Sequence, residues 1–239
     1  MTHFQIIAFD ADDTLWQTER LYVRAQAHLK ALLATYLVDN QMDERLYRTE
    51  TRNLEHFGYG IKAFALSMIE TAIELTGSRI SAADIQSLID SAKEMLLAPI
   101  ELLDHVATTM DTLAATHSLM LITKGDLLDQ ETKVARSGLG SHFQYVEIVS
   151  DKSVETYRAI LKRLATPPSE FVMVGNSLRS DILPVLALGA QAVHIPHELT
   201  WVHEAAEAPA AQPGYHELND IGELPALIDR LERQMTGNS

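Results

Sequence analysis

Three carboxylates, Asp10, Asp12 and Asp13, stand in the segment Phe9-Asp10-Ala11-Asp12-Asp13-Thr14-Leu15-Trp16, directly after the apolar run Phe4 to Phe9. That run is too short for a helix and too continuous for a half-exposed strand, so it predicts a buried strand of a parallel sheet. In such sheets ligands gather at the carboxyl ends of central strands, where the chain leaves the core and side chains can converge. Asp10 and Asp12, two residues apart in extended chain, point to the same side and repel unless one keeps a proton or a cation lies between them. This suits a metal site with one nucleophile and one proton shuttle. The competing reading is local: Asp12 or Asp13 caps a helix that begins at Leu15.

Three later strand ends carry residues that phosphoryl chemistry could use. Thr123 follows Leu119-Met120-Leu121-Ile122, Lys152 comes shortly after Val146-Glu147-Ile148-Val149, and Asn176 and Asp181 follow Phe171-Val172-Met173-Val174. Each has a plain alternative. Thr123 or Asp126 could simply cap the next helix, and a lysine at a helix start is usually a solvated surface residue. In this order, the four segments resemble the motifs of the haloacid dehalogenase superfamily of aspartate-nucleophile hydrolases, over about residues 4 to 205.

The resemblance implies a role for each position. Asp10 would attack phosphorus and carry a transient aspartyl-phosphate; Asp12 would protonate the leaving oxygen and then activate the hydrolytic water. Thr123, with backbone amides near Gly125, would hold phosphate oxygens. Lys124, where the family often has Asn, would face the substrate or the solvent. Lys152 would neutralise charge between Asp10 and the phosphate. Mg²⁺ would be held by Asp10, the main-chain carbonyl of Asp12, Asn176 and Asp181. Most relatives carry Asp at the position of Asn176, so weaker metal binding is expected here. Asp12 speaks against a true dehalogenase, which lacks an acid at that position.

The elements that must position these residues are legible from periodicity. From Glu19 to about Leu97 the pattern is helical. Tyr22, Ala25, Leu29, Leu32, Leu33 and Tyr36 form one stripe, and Asp43 to Phe57 a more polar segment closed by Gly58. Ile61 to Leu75 follows, closed by Gly77, and then a helix opened by the capping box Ser81 to Asp84. Leu102, Leu103, Val106, Met110 and Leu113 predict a helix returning to the core. Strands at 119–122, 145–149, 171–174 and 191–195 then alternate with helices near 127–137, 153–164 and 180–188. Ala205 to Tyr215 reads as a loop, and Leu224 to Met235 as a last helix before a frayed tail. Together these predict an α/β fold, a doubly wound parallel sheet with an inserted four-helix module. The core is expected at residues 1–16 plus 98–239 and the helical module at 17–97. By the resemblance, that module is a cap placed after the first motif. Arg52, Asn53, Tyr59 and Lys62 in its polar segment are the candidates for selecting the substrate, although a solvated helix end explains the same residues.

Composition narrows the class. The chain has 239 residues and 46% hydrophobic residues, enough for a large core and against wholesale disorder. With 33 acidic and 19 basic residues its net charge is −14, which speaks against a nucleic-acid partner. A phosphorylated substrate must therefore be drawn by local positive charge. There is no cysteine, which fits a reducing cytoplasm. No basic leader precedes an apolar core at the N-terminus, and no apolar stretch approaches a membrane span, so no membrane association is expected. His194, His197 and His203 cluster after the last strand and could bind zinc, but their spacing fits no helical pair, so a loop or core role is expected. Trp201 reads as packing. The reading is a Mg²⁺-dependent phosphatase for a small phosphorylated metabolite. The alternatives are a phosphomutase of the same superfamily and a non-catalytic phospho-accepting module.

Overall fold

The computed structural model describes residues 4–34, 36, 42–198, 206–209 and 212–236. His203, Trp201 and the last three residues lie outside that set. The chain divides into two compact units, one of residues 1–17, 100–123 and 132–239, the other of 18–99 and 124–131.

The first unit is built on a six-stranded sheet. Its strands are β1 (Ile6–Phe9), β2 (Ser118–Lys124), β3 (Phe143–Val149), β4 (Phe171–Gly175), β5 (Gln191–His194) and β6 (Tyr215–Glu217), in the spatial order β3-β2-β1-β4-β5-β6. The β1–β2, β1–β4, β4–β5 and β5–β6 pairs are all parallel. A strand buried on both faces needs apolar side chains at every position, and β1 supplies them alternately. Ile7 and Phe9 enter the layer with Val106, Met110, Leu224 and Ile228, and Ile6 and Ala8 the opposite layer with Tyr157, Ile160 and Val185. The helices behind these layers are α5 (Val106–Ala114) and α9 (Leu224–Thr236) on one side, α7 (Val154–Arg163) and α8 (Leu183–Leu186) on the other.

The second unit contains α1 (Glu19–Leu33), α2 (Met42–Phe57), α3 (Ile61–Leu75) and α4 (Ala82–Leu97), which bury Leu29, Leu46, Met68 and Leu88 in a core of their own. The capping box is present: Ser81 Oγ accepts from the Asp84 amide at 3.0 Å. Glu50 of α2 is buried, and desolvation raises its carboxyl from about 4.5 to about 7. Between those values the folded chain holds a proton that the unfolded chain has released, so stability falls as pH rises through that window. Glu50→Gln is expected to abolish this slope, which is worth about 3 kcal/mol. Urea midpoints of both proteins at pH 5 and pH 8 measure it, and parallel pH dependence in the two would contradict it.

The structure departs from the periodicity in four places. The expected helix through Leu102 and Leu103 begins only at Val106, because Leu102 bridges to Trp16 and His105 turns the chain at φ 62°. The helix expected near 180–188 is a π-helical turn, Leu178–Ile182, followed by the single turn of α8. No helix starts at Leu15; instead the Leu15 amide donates to the Ala11 carbonyl, and Asp13 takes a left-handed backbone. The loop reading of residues up to Tyr215 misses β6, which that residue opens. Among the described residues, no helix is long and apolar enough to cross a membrane.

Candidate active site

The sheet brings the sequence-separated motifs to one edge. The Asp10 amide continues the β1 ladder by donating to the Val174 carbonyl at 2.9 Å. The β1–β2 register, with Phe9 opposite Leu121, places buried Thr123 alongside the residues that follow Asp10. Beyond β3, Ser153 caps α7 by accepting from the Thr156 amide, and Lys152 immediately before it turns inward. Only 3% of Lys152 is exposed, so the surface-lysine alternative does not hold.

Lys152 is the hub of a buried charge cluster. Its Nζ donates to Asp10 Oδ1 and, at 2.7 Å, to Asp181 Oδ1. Both acids therefore lie within hydrogen-bond reach of one nitrogen. Burial alone would lower the lysine, but the two carboxylates outweigh it and hold the ammonium above its ordinary range. Burial pushes the Asp181 carboxyl up, Lys152 opposes this, and Asp10 adds to it. The rise of an acid already touching a lysine reflects burial first, and the sharing of one ammonium by two carboxylates adds to it.

Thr14, which the sequence reading passed over, ties this cluster to the fourth motif. Its Oγ1 lies 3.0 Å from Asp10 Oδ2 and 3.2 Å from Asn176 Oδ1, and it accepts from the Asn176 amide at 3.1 Å. Asp181 is seated by the Ser177 amide, which donates to its Oδ2 at 3.0 Å. It lies so close to the chain that a Cβ at Gly175 would fall 2.3 Å from that same oxygen.

Asp12 differs from the expectation of a carboxylate governed by its neighbour. Lys133, on α6 (Leu127–Ser137), donates to Asp12 Oδ1 at 3.0 Å and Oδ2 at 3.2 Å, and the Trp16 indole donates to Oδ1 at 2.8 Å. Asp10 and Asp12 thus face different lysines, the one at Asp10 shared with Asp181, and the repulsion argued from spacing is opposed by a cation at each. Lys133 was missed because a lysine at helical spacing ordinarily reads as solvated.

The remaining expected residues fall in the helical unit. Lys124 Nζ stands 4.2 Å above the ring of Tyr59, and Lys62 donates to Asp126 at 2.8 Å. Asp126 caps α6, accepting from the Asp129 amide, which is the local role weighed for it, and Gly125 turns the chain at φ 142°. Arg52 donates to Glu70 and Glu74, and buried Asn53 to Ser67 and Glu70, so both are engaged within the helices. Of the histidines, His194 is buried against the Asn176 carbonyl, and His197 Nε2 lies 3.8 Å from Asp13.

A hard divalent cation suits the donors here. Among the described residues no three His, Cys, Asp or Glu side chains form a ready metal cluster. The site instead offers the carboxylates of Asp10 and Asp181, the amide oxygen of Asn176 and main-chain carbonyls. These are oxygen ligands of the kind Mg²⁺ takes while keeping several waters. A further positive charge would also ease the burial of two carboxyl groups that share one lysine.

Residues 4–189 match the haloacid dehalogenase-like hydrolases. A crystal structure of a haloacid dehalogenase-like family hydrolase from Xanthomonas campestris superposes with a TM-score of 0.89 at 40% identity, covering 99% of this chain and 95% of that one. An N-acylneuraminate-9-phosphatase of Mus musculus is 25% identical over 55% of this chain and 53% of its own length. A glyceraldehyde 3-phosphate phosphatase of Methanothermobacter thermautotrophicus is 28% identical over 51% and 56%. The chain thus spans about half the length of these two curated relatives.

Proposed function

The chain belongs to the haloacid dehalogenase-like hydrolases, and from that premise we propose that it is a Mg²⁺-dependent phosphatase for a small phosphorylated metabolite. The observation that carries this reading is the sharing of Lys152 by Asp10 and Asp181, with Thr14 linking Asp10 to Asn176. The phosphatase names of the two partial relatives support it. The absence of cysteine is compatible with a reducing cytoplasm.

In the proposed reaction a carboxylate oxygen of Asp10 attacks phosphorus as the ester P–O bond breaks, and Asp12 gives its proton to the departing oxygen. Water then attacks the aspartyl-phosphate, Asp12 takes a proton from it, and inorganic phosphate leaves with Asp10 regenerated. Thr123 is assigned to hold phosphate oxygens at the strand end, with Lys124 a candidate beside it, and Lys152 to offset the charge gathering near Asp10. Asp10, Asp181, Asn176 and the Asp12 carbonyl would hold Mg²⁺, which when bound supplies positive charge against the phosphoryl oxygens. Lys133 holds Asp12 in place and favours its carboxylate form, the one that takes the proton from water.

The test is phosphate release from a panel of sugar phosphates, phosphorylated acids and simple esters, with Mg²⁺ and with a chelator. Mg²⁺-dependent release is expected. Isomerisation of a sugar phosphate without release would point to the mutase, and no turnover of any ester to a binding module. Replacing the neutral ligand is a second check. Asn176→Asp adds a charged oxygen and is expected to tighten Mg²⁺ about tenfold by calorimetric titration; equal affinity would remove Asn176 from the ligand set.

A further inference from the structure

The sixth strand, absent from the sequence reading, builds a side-chain network whose far end reaches the cation site. The β4–β5 register sets His194 beside Gly175, and the Ile195 amide donates to the Gly175 carbonyl at 3.0 Å as the last rung between the two strands. Beyond that rung the backbones part. The His194 side chain then reaches the next carbonyl itself: with the proton on Nε2 it donates to Asn176 O at 3.1 Å.

The ring is held from the other side by β6. Glu217 lies directly across from His194 in the β5–β6 register, and its Oε2, 3.3 Å from His194 Nδ1, accepts from that nitrogen when it too carries a proton. The Tyr215 hydroxyl donates to Glu217 Oε2 at 2.5 Å and stands 3.4 Å from the same ring nitrogen. His194 is only 7% exposed, so it sits within packed structure.

The carbonyl it grips belongs to a peptide plane with a second task. The N–H of that plane is the Ser177 amide, which donates to Asp181 Oδ2. The residue at its other end is Asn176, whose amide and Oδ1 meet Thr14. Rotation of this one plane would release Asp181 and turn Asn176 together. An amide whose oxygen accepts a hydrogen bond is also a better donor, because hydrogen bonds in a chain polarise one another. A neutral ligand such as Asn176 holds its cation by placement more than by charge, and so has the most to lose from a loose support.

We propose that His194, steadied by Glu217 and Tyr215, is a positioning residue for the divalent-cation site, acting through the Asn176–Ser177 peptide on both Asn176 and Asp181. This rests on the cation reading above. Groups that orient metal ligands typically govern metal affinity by about 10–100-fold.

The experiment is calorimetric titration of the purified full chain with Mg²⁺ alone, in the absence of any substrate. His194→Leu is expected to raise the dissociation constant at least about tenfold. His194→Gln, which keeps an N–H donor near the position of Nε2, is expected to stay within about threefold of wild type. Unchanged affinity in the leucine variant overturns the proposal, and so does a glutamine variant as weak as leucine, which would assign the effect to packing. Should the leucine variant fail to fold, Glu217→Leu at the half-exposed end of the network carries the test, with weaker Mg²⁺ binding expected and unchanged binding decisive against it. A wild-type chain that binds no Mg²⁺ overturns the cation reading and this inference with it, whereas wild-type binding with insensitive variants overturns the inference alone.

Discussion

Asp10→Asn is expected to lower phosphate release at least about a thousandfold while leaving the fold in place. The amide is nearly isosteric with the carboxylate, and its oxygen can still accept from Thr14 or Lys152. It cannot serve as the nucleophile that carries the phosphoryl group. The hydrogen-bonding frame is retained, so thermal stability should move by no more than about 1 kcal/mol. Phosphate release measured with a thermal melt of the same preparation separates the two effects. Turnover near the wild-type rate would end the aspartyl-phosphate reading, and loss of turnover together with the fold would leave Asp10 a structural role only.

Lys152→Met carries the largest expected cost in stability. Methionine fills most of the same volume but leaves Asp10 and Asp181 beside each other without their shared cation. Removing one partner from a buried ionic group costs about 3–5 kcal/mol, because the charges left behind are desolvated and uncompensated. The pH dependence distinguishes charge from packing. Without the lysine nothing opposes the burial that raises Asp181, so the penalty of ionising that acid is absent in acid and grows as pH rises from its unfolded value towards its folded one. In wild type part of that slope is already present, because burial raises Asp181 there too, but Lys152 opposes the rise and itself stays charged through neutral pH. The gap between variant and wild type should therefore widen from pH 5 to pH 8, read from denaturant midpoints. A gap of equal size at both would assign the loss to packing.

Much of this site was legible because the groups involved follow strands with unambiguous patterns. The unbroken apolar run before Asp10 can only be a strand buried on both faces, and the burial of Ile6, Ile7, Ala8 and Phe9 bears that reading out. Ser81 with Asp84 marked a helix start that the structure reproduces to the residue. The features missed are those that only tertiary packing decides. Lys133 lies on a helix whose pattern gives no sign that one lysine is buried against a carboxylate. Three residues, Tyr215-His216-Glu217, are too few and too polar to announce a strand, and β6 forms because β5 offers it an unpaired edge. The same edge explains His194: its role is invisible until the register with Gly175 and Glu217 is known.

The missing side chain at Gly175 has a bearing on how this sequence can drift. A methyl group there would collide with Asp181, so the two positions are free to vary only as a pair. A descendant that keeps the acid is confined to glycine at 175, whereas one that has given up the acid for glycine, which removes the Asp181 Cβ as well, gains room for alanine. Along a lineage, alanine appearing at 175 would thus record the retirement of its acidic neighbour.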